Sequence, residues 1–392
     1  MMAHGVPLSR KSVRSKSRRV SLWMLGFVML LCAGCTGAID DRPPLVVDAD
    51  FELVLSHRYT ELVLVRADGG NPTPLVSSET AVIAPRFSPR GEKLAFYDVG
   101  TSDLPMSSTR VALAVVWVEG GDEKGTPGQA VMRSVSFGLP QFDLDHRLMI
   151  DGVIPPLWEP GGESLIVAHA SGIERIALSG ERSKLVEGDP VTAATLSPGG
   201  DRIVYSNGTN IFVLDRNGGG QEALLSEGFV PRFGNRRIRA VAVSPDGGEI
   251  TFGLGCEVFV LDSASKTARR VFEVTHGVYW IAYLPGRREI VMLAGKEDRR
   301  RGLVSPWVSV TSGEYSLIVA AADGEFSREL FSAHLIDVRD ARPDLSPDGR
   351  YVSVAVKDGA VKEIVLVATD GSGAVRLTSH GPNAFASWRP VR

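Results

Sequence analysis

An all-β fold of seven repeated four-stranded units is predicted by three observations. A turn with Gly next to Pro or one residue on (Pro-x-Gly in its common form), followed by an alternating strand, recurs six times. An apolar strand, a polar turn and a second strand recur seven times between those turns. The 42 Gly and 23 Pro accompany no long run of helical periodicity, as expected where turns join many short strands. Four-stranded units repeating at about 40 to 45 residues are β-propeller blades. The expected architecture is therefore a seven-bladed β-propeller, one large all-β domain in a chain of 392 residues.

The N-terminus reads as a separate segment. Arg10, Lys11, Arg14, Lys16, Arg18 and Arg19 precede the apolar run "VSLWMLGFVMLL", and "CAGC" follows. Basic, apolar, then small residues is an export pattern. The apolar run falls short of the roughly 20 residues of a membrane span, and an uncleaved anchor is the competing reading. "CAGC" resembles the lipobox of bacterial lipoproteins, with Cys32 where Leu is usual. That resemblance implies a signal peptide over residues 1–34, lipidation of Cys35, and a tether over residues 35–50. Thr36, where Asp would mark inner-membrane retention, implies an outer-membrane location facing the periplasm. "SRRVSLW" also resembles a twin-arginine signal, with Ser21 at a usually apolar position.

Removing residues 1–34, which carry six basic and no acidic residues, takes the net charge from −3 to −9. An acidic mature chain argues against nucleic acid as a partner. Cys35 and Cys256 are then the cysteines left, so no disulfide framework is expected. Cys256, in the strand-like run "TFGLGCEVFV", is expected to be a buried structural thiol.

The blades follow from Phe51 onward, so the propeller is expected over residues 51–392. Pro-x-Gly turns open "RFSPRGEKLAFY", "LWEPGGESLIVAHA", "TLSPGGDRIVYS", "AVSPDGGEITFGL", "AYLPGRREIVML" and "DLSPDGRYVSVAV". Pro sets φ and Gly supplies a positive φ in such turns. The outer hairpins are "ELVLVRADGGNPTPLV", "VALAVVWVEGG", "GIERIALSGERSKLV", "NIFVLDRNGGGQEALL", "CEVFVLDSASKTARRV", "YSLIVAAADGEFSREL" and "EIVLVATDGSGAVRLT". The first hairpin has no Pro-x-Gly strand before it, and "AFASWRPVR" has the approach to such a turn without its hairpin. Joining the two closes the ring and removes its exposed edges. Wide gaps between Pro89 and Pro160 and between Pro285 and Pro347 fit loop insertions. An eighth blade in the first gap is the alternative.

These units resemble the TolB-like, PD40-type branch of WD40-like propellers. "FSPRG", "LSPGG", "VSPDG" and "LSPDG" match its inner turn, "VRADGGNPTPL" and "VATDGSGAVRLT" its outer hairpin, and "LTSHGPNAFASW" its link between blades. The resemblance implies fold far more than function. TolB suggests a protein partner, yet TolB carries an extra N-terminal domain that residues 35–50 are too short to form.

Catalytic patterns are sparse. No G-x-S-x-G elbow supports a serine peptidase, and no H-E-x-x-H or mature C-x-x-C supports zinc. "DRNGGGQEALLS" begins like a calcium loop but ends on Ser226 where a bidentate Glu belongs. Asp246 and Asp348 are read as turn formers, since Arg90 and Gly199 stand at matching positions.

Strand direction alternates within a blade, so Pro-x-Gly turns and outer-hairpin turns share one face. The links between blades share the opposite face with the middle turns, around the channel mouth. His276, His334 and His380 are expected in these links, with Arg232, Arg236, Arg237, Arg239 and Arg339. The insertion "KEDRRRGLVSPW" is expected there too. Solvated loop residues are one reading of this set. A binding pocket for an acidic protein segment or small anion is another. Convergence of the histidines on a metal, as in propeller lyases, is the enzymatic alternative. His57, His169, Trp158, Trp280 and Trp388 are expected to be structural. The sequence thus predicts a non-catalytic, envelope-tethered, monomeric platform without a cofactor.

Overall fold

The computed structural model describes residues 45–47, 50–70, 72–101, 109–118, 134–138, 153–169, 171–227, 229, 236–295, 298–299, 311–335, 342–358, 361–378 and 381–391. All regular structure among them is β. Blade 1 begins with β1 (Glu52–His57), β2 (Glu61–Arg66) and β3 (Thr73–Ser77). Blade 2 is β4 (Ala81–Phe87), β5 (Lys93–Thr101), β6 (Thr109–Trp117) and β7 (Ser134–Gly138). Blade 3 is β8 (Leu157–Trp158), β9 (Ser164–His169), β10 (Gly172–Ala177) and β11 (Arg182–Glu187). Blade 4 is β12 (Ala193–Leu196), β13 (Arg202–Ser206), β14 (Ile211–Asp215) and β15 (Glu222–Ala223). Blade 5 is β16 (Ile238–Val243), β17 (Glu249–Leu254), β18 (Glu257–Asp262) and β19 (Thr267–Glu273). Blade 6 is β20 (Gly277–Tyr283), β21 (Glu289–Gly295), the short β22 (Asp298–Arg299), β23 (Thr311–Ala321) and β24 (Ser327–Leu335). Blade 7 is β25 (Asp344–Leu345), β26 (Tyr351–Asp358), β27 (Val361–Ala368) and β28 (Ala374–Arg376).

The last strand, β29 (Asn383–Trp388), pairs antiparallel with β1, Leu53 opposite Trp388 and His57 opposite Asn383. It is the innermost strand of blade 1, as the unpaired repeats at the two ends of the chain predict. The described strands make seven sheets, and those within the wide gap after Pro89 all belong to blades 2 and 3.

Each blade is apolar on both faces because its residues alternate with period two. In β13, Ile203 and Tyr205 face blade 3 while Val204 faces blade 5. In β1, Leu53 and Leu55 face blade 7 while Val54 faces blade 2. One buried cluster occupies each of the seven blade junctions. No blade buries its faces alone, so stability resides in the junctions. Val47, within the expected tether, is itself buried in the cluster between blades 7 and 1.

The Pro-x-Gly turns repeat one hydrogen-bond scheme. In the turn of blade 7, Gly349 N–H donates to Ser346 O at 2.8 Å. Ser346 Oγ accepts the Tyr351 N–H at 2.9 Å and donates to Asp348 Oδ1 at 2.7 Å. Asp348 Oδ1 also accepts the Arg350 N–H at 3.0 Å. Asp246 does the same with Ser244 and the Gly248 N–H. Both aspartates are turn formers, as expected. Gly349 holds φ +72°, and a Cβ there would lie 2.5 Å from Pro285 Cδ in the preceding turn. Glycine is required twice over, by conformation and by contact between blades.

Two expectations need correction. Cys256 is half-buried in a turn between β17 and β18, not buried in a strand. Leu254 pairs with Glu257, which leaves Gly255 and Cys256 as a two-residue hairpin loop, and Gly255 takes φ 63° at its first position. The apolar run is thus two strands. His334 lies inside β24, opposite Glu314, not in a link. The β23–β24 hairpin keeps its ladder as far as Gly313 and Leu335, so strand continues where the sequence suggests a loop.

Candidate functional site

Chain direction sets which residues share a face. The link face carries the β1–β2, β17–β18 and β26–β27 turns and the segments entering β16 and β20. Arg237 precedes β16 and is exposed. His276 precedes β20 and is half-buried. His334 sits at the link-face end of β24. Cys35, Arg232, Arg339 and His380 lie outside the described residues. Of the inserted segment after β21, the described part is β22, which pairs with β23. No group of three or more His, Cys, Asp or Glu able to hold a metal occurs among the described residues.

The arginines entering β16 divide by environment. Arg236 pairs with Glu257 at 2.8 Å, and Arg270 reaches the same buried carboxylate at 3.1 Å. Arg237 has no carboxylate partner among the described residues and stays in solvent. Arg239 is the bulged residue of β16, where the register shifts between Ile238 and Ala240. Its guanidinium lies 5.5 Å from the Tyr279 ring of blade 6. Tyr279 is in turn the bulged residue of β20. Bulges re-aim side chains that regular pleating would send into the sheet. A second pair spans blades 7 and 1, with Lys362 Nζ 5.2 Å from the Tyr59 ring and donating to its hydroxyl at 2.5 Å. The first pair sets a cation beside an aromatic ring, whereas in the second the ammonium meets the ring at its hydroxyl edge.

Beneath this face, the inner strands bring together a polar cluster that sequence reasoning missed. Asp344 in β25 pairs with Arg86 in β4, across the closing strand between them. Asp344 Oδ2 accepts the Trp388 N–H at 3.0 Å, and Trp388 Nε1 donates to the Asp344 carbonyl at 3.1 Å. Trp158 repeats the second contact two junctions on, donating to the Arg86 carbonyl at 3.0 Å. Trp158 and Trp388, expected to be structural, therefore tie adjacent inner strands. Arg342, two residues before β25, extends to blade 3 and donates from Nη1 to the Val153 carbonyl at 2.6 Å. Tyr97 donates to the neighbouring Ile154 carbonyl at 3.1 Å.

Burial pushes the Arg342 pKa down to about 10, and the nearby Arg86 charge acts in the same direction. The guanidinium remains charged at neutral pH. Burial also pushes the Tyr97 phenol well above its ordinary value, so it stays a neutral donor. Among the described residues the cluster holds two guanidinium groups and one carboxylate. Its members lie far apart in sequence, and nothing in the motif around "DVRDAR" signals that Arg342 leaves the link for the channel.

The other residues expected to be structural also have partners. His57 Nδ1 bonds Asn383 Oδ1 at 2.9 Å, tying β1 to β29. His169 Nδ1 takes the Ser171 N–H at 3.2 Å, and burial lowers its pKa. Trp280 packs in the cluster between blades 6 and 7.

No protein-family model and no curated protein matches the chain. Among solved structures, the β-propeller domain of Cps50 (Swd1) from Myceliophteria thermophila is similar over 81% of this chain and 93% of that one, at 13% identity and a TM-score of 0.52. TolB from Acinetobacter baumannii is matched over 88% of this chain and 68% of that one, at 15% identity and a TM-score of 0.49. A chain of the mitotic checkpoint complex is matched over 87% of this chain and 94% of that one, at 16% identity and a TM-score of 0.49. At such identities the likeness is one of fold, and the chain has the fold of the TolB-like, WD40-like β-propellers that its repeats resemble.

Proposed function

We propose that the chain is a non-catalytic binding platform whose link face takes an acidic segment of a protein partner. The observation that carries this reading is the concentration of cationic and aromatic groups on that face of an acidic chain. Arg237 is exposed, Arg239 presents charge beside the Tyr279 ring, and Lys362 adds a cation at the Tyr59 hydroxyl. Such groups recur at the centres of protein interfaces. Arg232, Arg339 and His380, with His276 and His334, complete the proposed surface. The test is capture of partners from envelope extract by the full chain and by Arg237→Glu. Charge reversal is expected to abolish capture and added salt to weaken it. Equal capture by a folded Arg237→Glu variant would remove the basis for the reading.

The platform is further proposed to be exported, lipidated on Cys35 and held at the outer membrane facing the periplasm. The basic, apolar and "CAGC" succession supports this. Fatty-acid labelling of the wild type, lost in Cys35→Ala, is the expected result. An unlabelled wild type sinks the anchor while leaving the partner surface untouched.

A further inference from the structure

We propose that the channel cluster around Arg342 is a binding site for a single carboxylate. The reasoning begins from charge. Arg86 and Arg342 each carry one positive charge, and Asp344 carries one negative. Asp344 is already engaged, by Arg86 and by the Trp388 N–H. The hydrogen bond Arg342 makes goes to a neutral carbonyl, that of Val153. No carboxylate partners it among the described residues. Arg342 is half-buried, and a partly desolvated charge without a carboxylate beside it among the described residues is costly, so a ligand that supplies one negative charge is favoured there.

Geometry then selects the ligand class. Arg342 commits Nη1 to Val153, and its guanidinium makes no other hydrogen bond among the described residues. A guanidinium edge receives a planar carboxylate through two parallel bonds. One carboxylate neutralises the cluster, whereas a phosphate dianion would overshoot it. Tyr97 holds its hydroxyl on the Ile154 carbonyl, which fixes the adjacent backbone against which Arg342 is braced. Arg342 enters its blade from the link side, so the carboxylate would arrive through the link-face mouth. The source is a small carboxylate or a peptide C-terminus. Arg237 plays no part, so this site stands or falls separately from the partner surface above.

The experiment is thermal unfolding of the full chain against increasing acetate, inorganic phosphate, and a short glycine-rich peptide with either a free or an amidated C-terminus. Chloride at matched ionic strength is the reference. Acetate and the free-acid peptide are expected to raise the unfolding temperature saturably, by roughly 3 to 6 °C at large excess. Tighter action of the peptide would identify a chain terminus as the source, and equal action a small molecule. Arg342→Gln keeps a donor for Val153 but no charge, and is expected to weaken the effect about tenfold or more. Arg342→Lys is expected to retain part of it. The assignment is overturned if chloride or the amidated peptide matches acetate, if phosphate alone acts, or if Arg342→Gln responds like the wild type. Should Arg342→Gln not fold, the wild-type titration with its amide and chloride controls still decides.

Discussion

The two faces of the propeller are built on opposite rules. On the turn face one scheme recurs. Ser88, Ser197, Ser244 and Ser346 each accept the N–H of the residue five positions on, at 2.9 to 3.1 Å. On the link face each junction finds its own solution. Asn207 bonds Asp189, Arg236 pairs with Glu257, and Lys362 donates to the Tyr59 hydroxyl. The repeating face is what allows the blades to tile. The non-repeating face is free of that duty, so departures from the repeat are where recognition can reside.

The contrast makes graded predictions. Gly349→Ala should have the largest effect on stability. It places a side chain at φ +72° and 2.5 Å from Pro285 Cδ, and strain plus overpacking should cost about 2 to 4 kcal/mol. Urea unfolding checks this, and an unchanged midpoint would mean the turns do not brace one another.

Asp246→Asn should have a smaller effect, and one confined to acid. The Ser244 hydroxyl, then the Gly248 N–H, hold the Asp246 carboxyl below its ordinary value of 3.8. A pKa lowered on folding means the carboxylate contributes stability above the unfolded value, lost as pH falls through the folded one. Urea midpoints from pH 6 to pH 3 should therefore fall more steeply for the wild type than for Asp246→Asn. Parallel curves would show that the carboxylate is not held by the turn.

Arg237→Glu should change stability least, within about 0.5 kcal/mol, because its exposed side chain has no carboxylate partner among the described residues. The same variant should change binding most. A large loss of stability would make Arg237 a structural residue and blur the distinction between the faces.

The same distinction governs what the sequence reveals. Pro and Gly have few conformational alternatives, so "SPDG" announces a turn wherever it stands, and the alternating strands after it follow. Closure by β29 was inferable because one repeat lacks an inner strand and another has a spare. Cys256 was misplaced because a two-residue hairpin inside an apolar run leaves no polar signal. His334 was misplaced because "SAHL" does not reveal how far a hairpin ladder runs. The Arg86, Tyr97, Arg342 and Asp344 cluster could not be read at all. Ring closure alone brings residues from blades 2, 3 and 7 together, and no local pattern encodes that meeting.

The pairing of Leu53 with Trp388 has a consequence for the timing of synthesis. Strand β1 emerges first and its partner last. At about 5 to 20 residues per second, β1 waits for roughly 20 seconds or more with an unpaired edge. During that wait Leu53, Val54 and Leu55 form a sticky template for any passing strand. A chain that meets its own final strand late depends on something else to shield its first one. Its yield in the cell should track the supply of holdase chaperones more closely than its final stability.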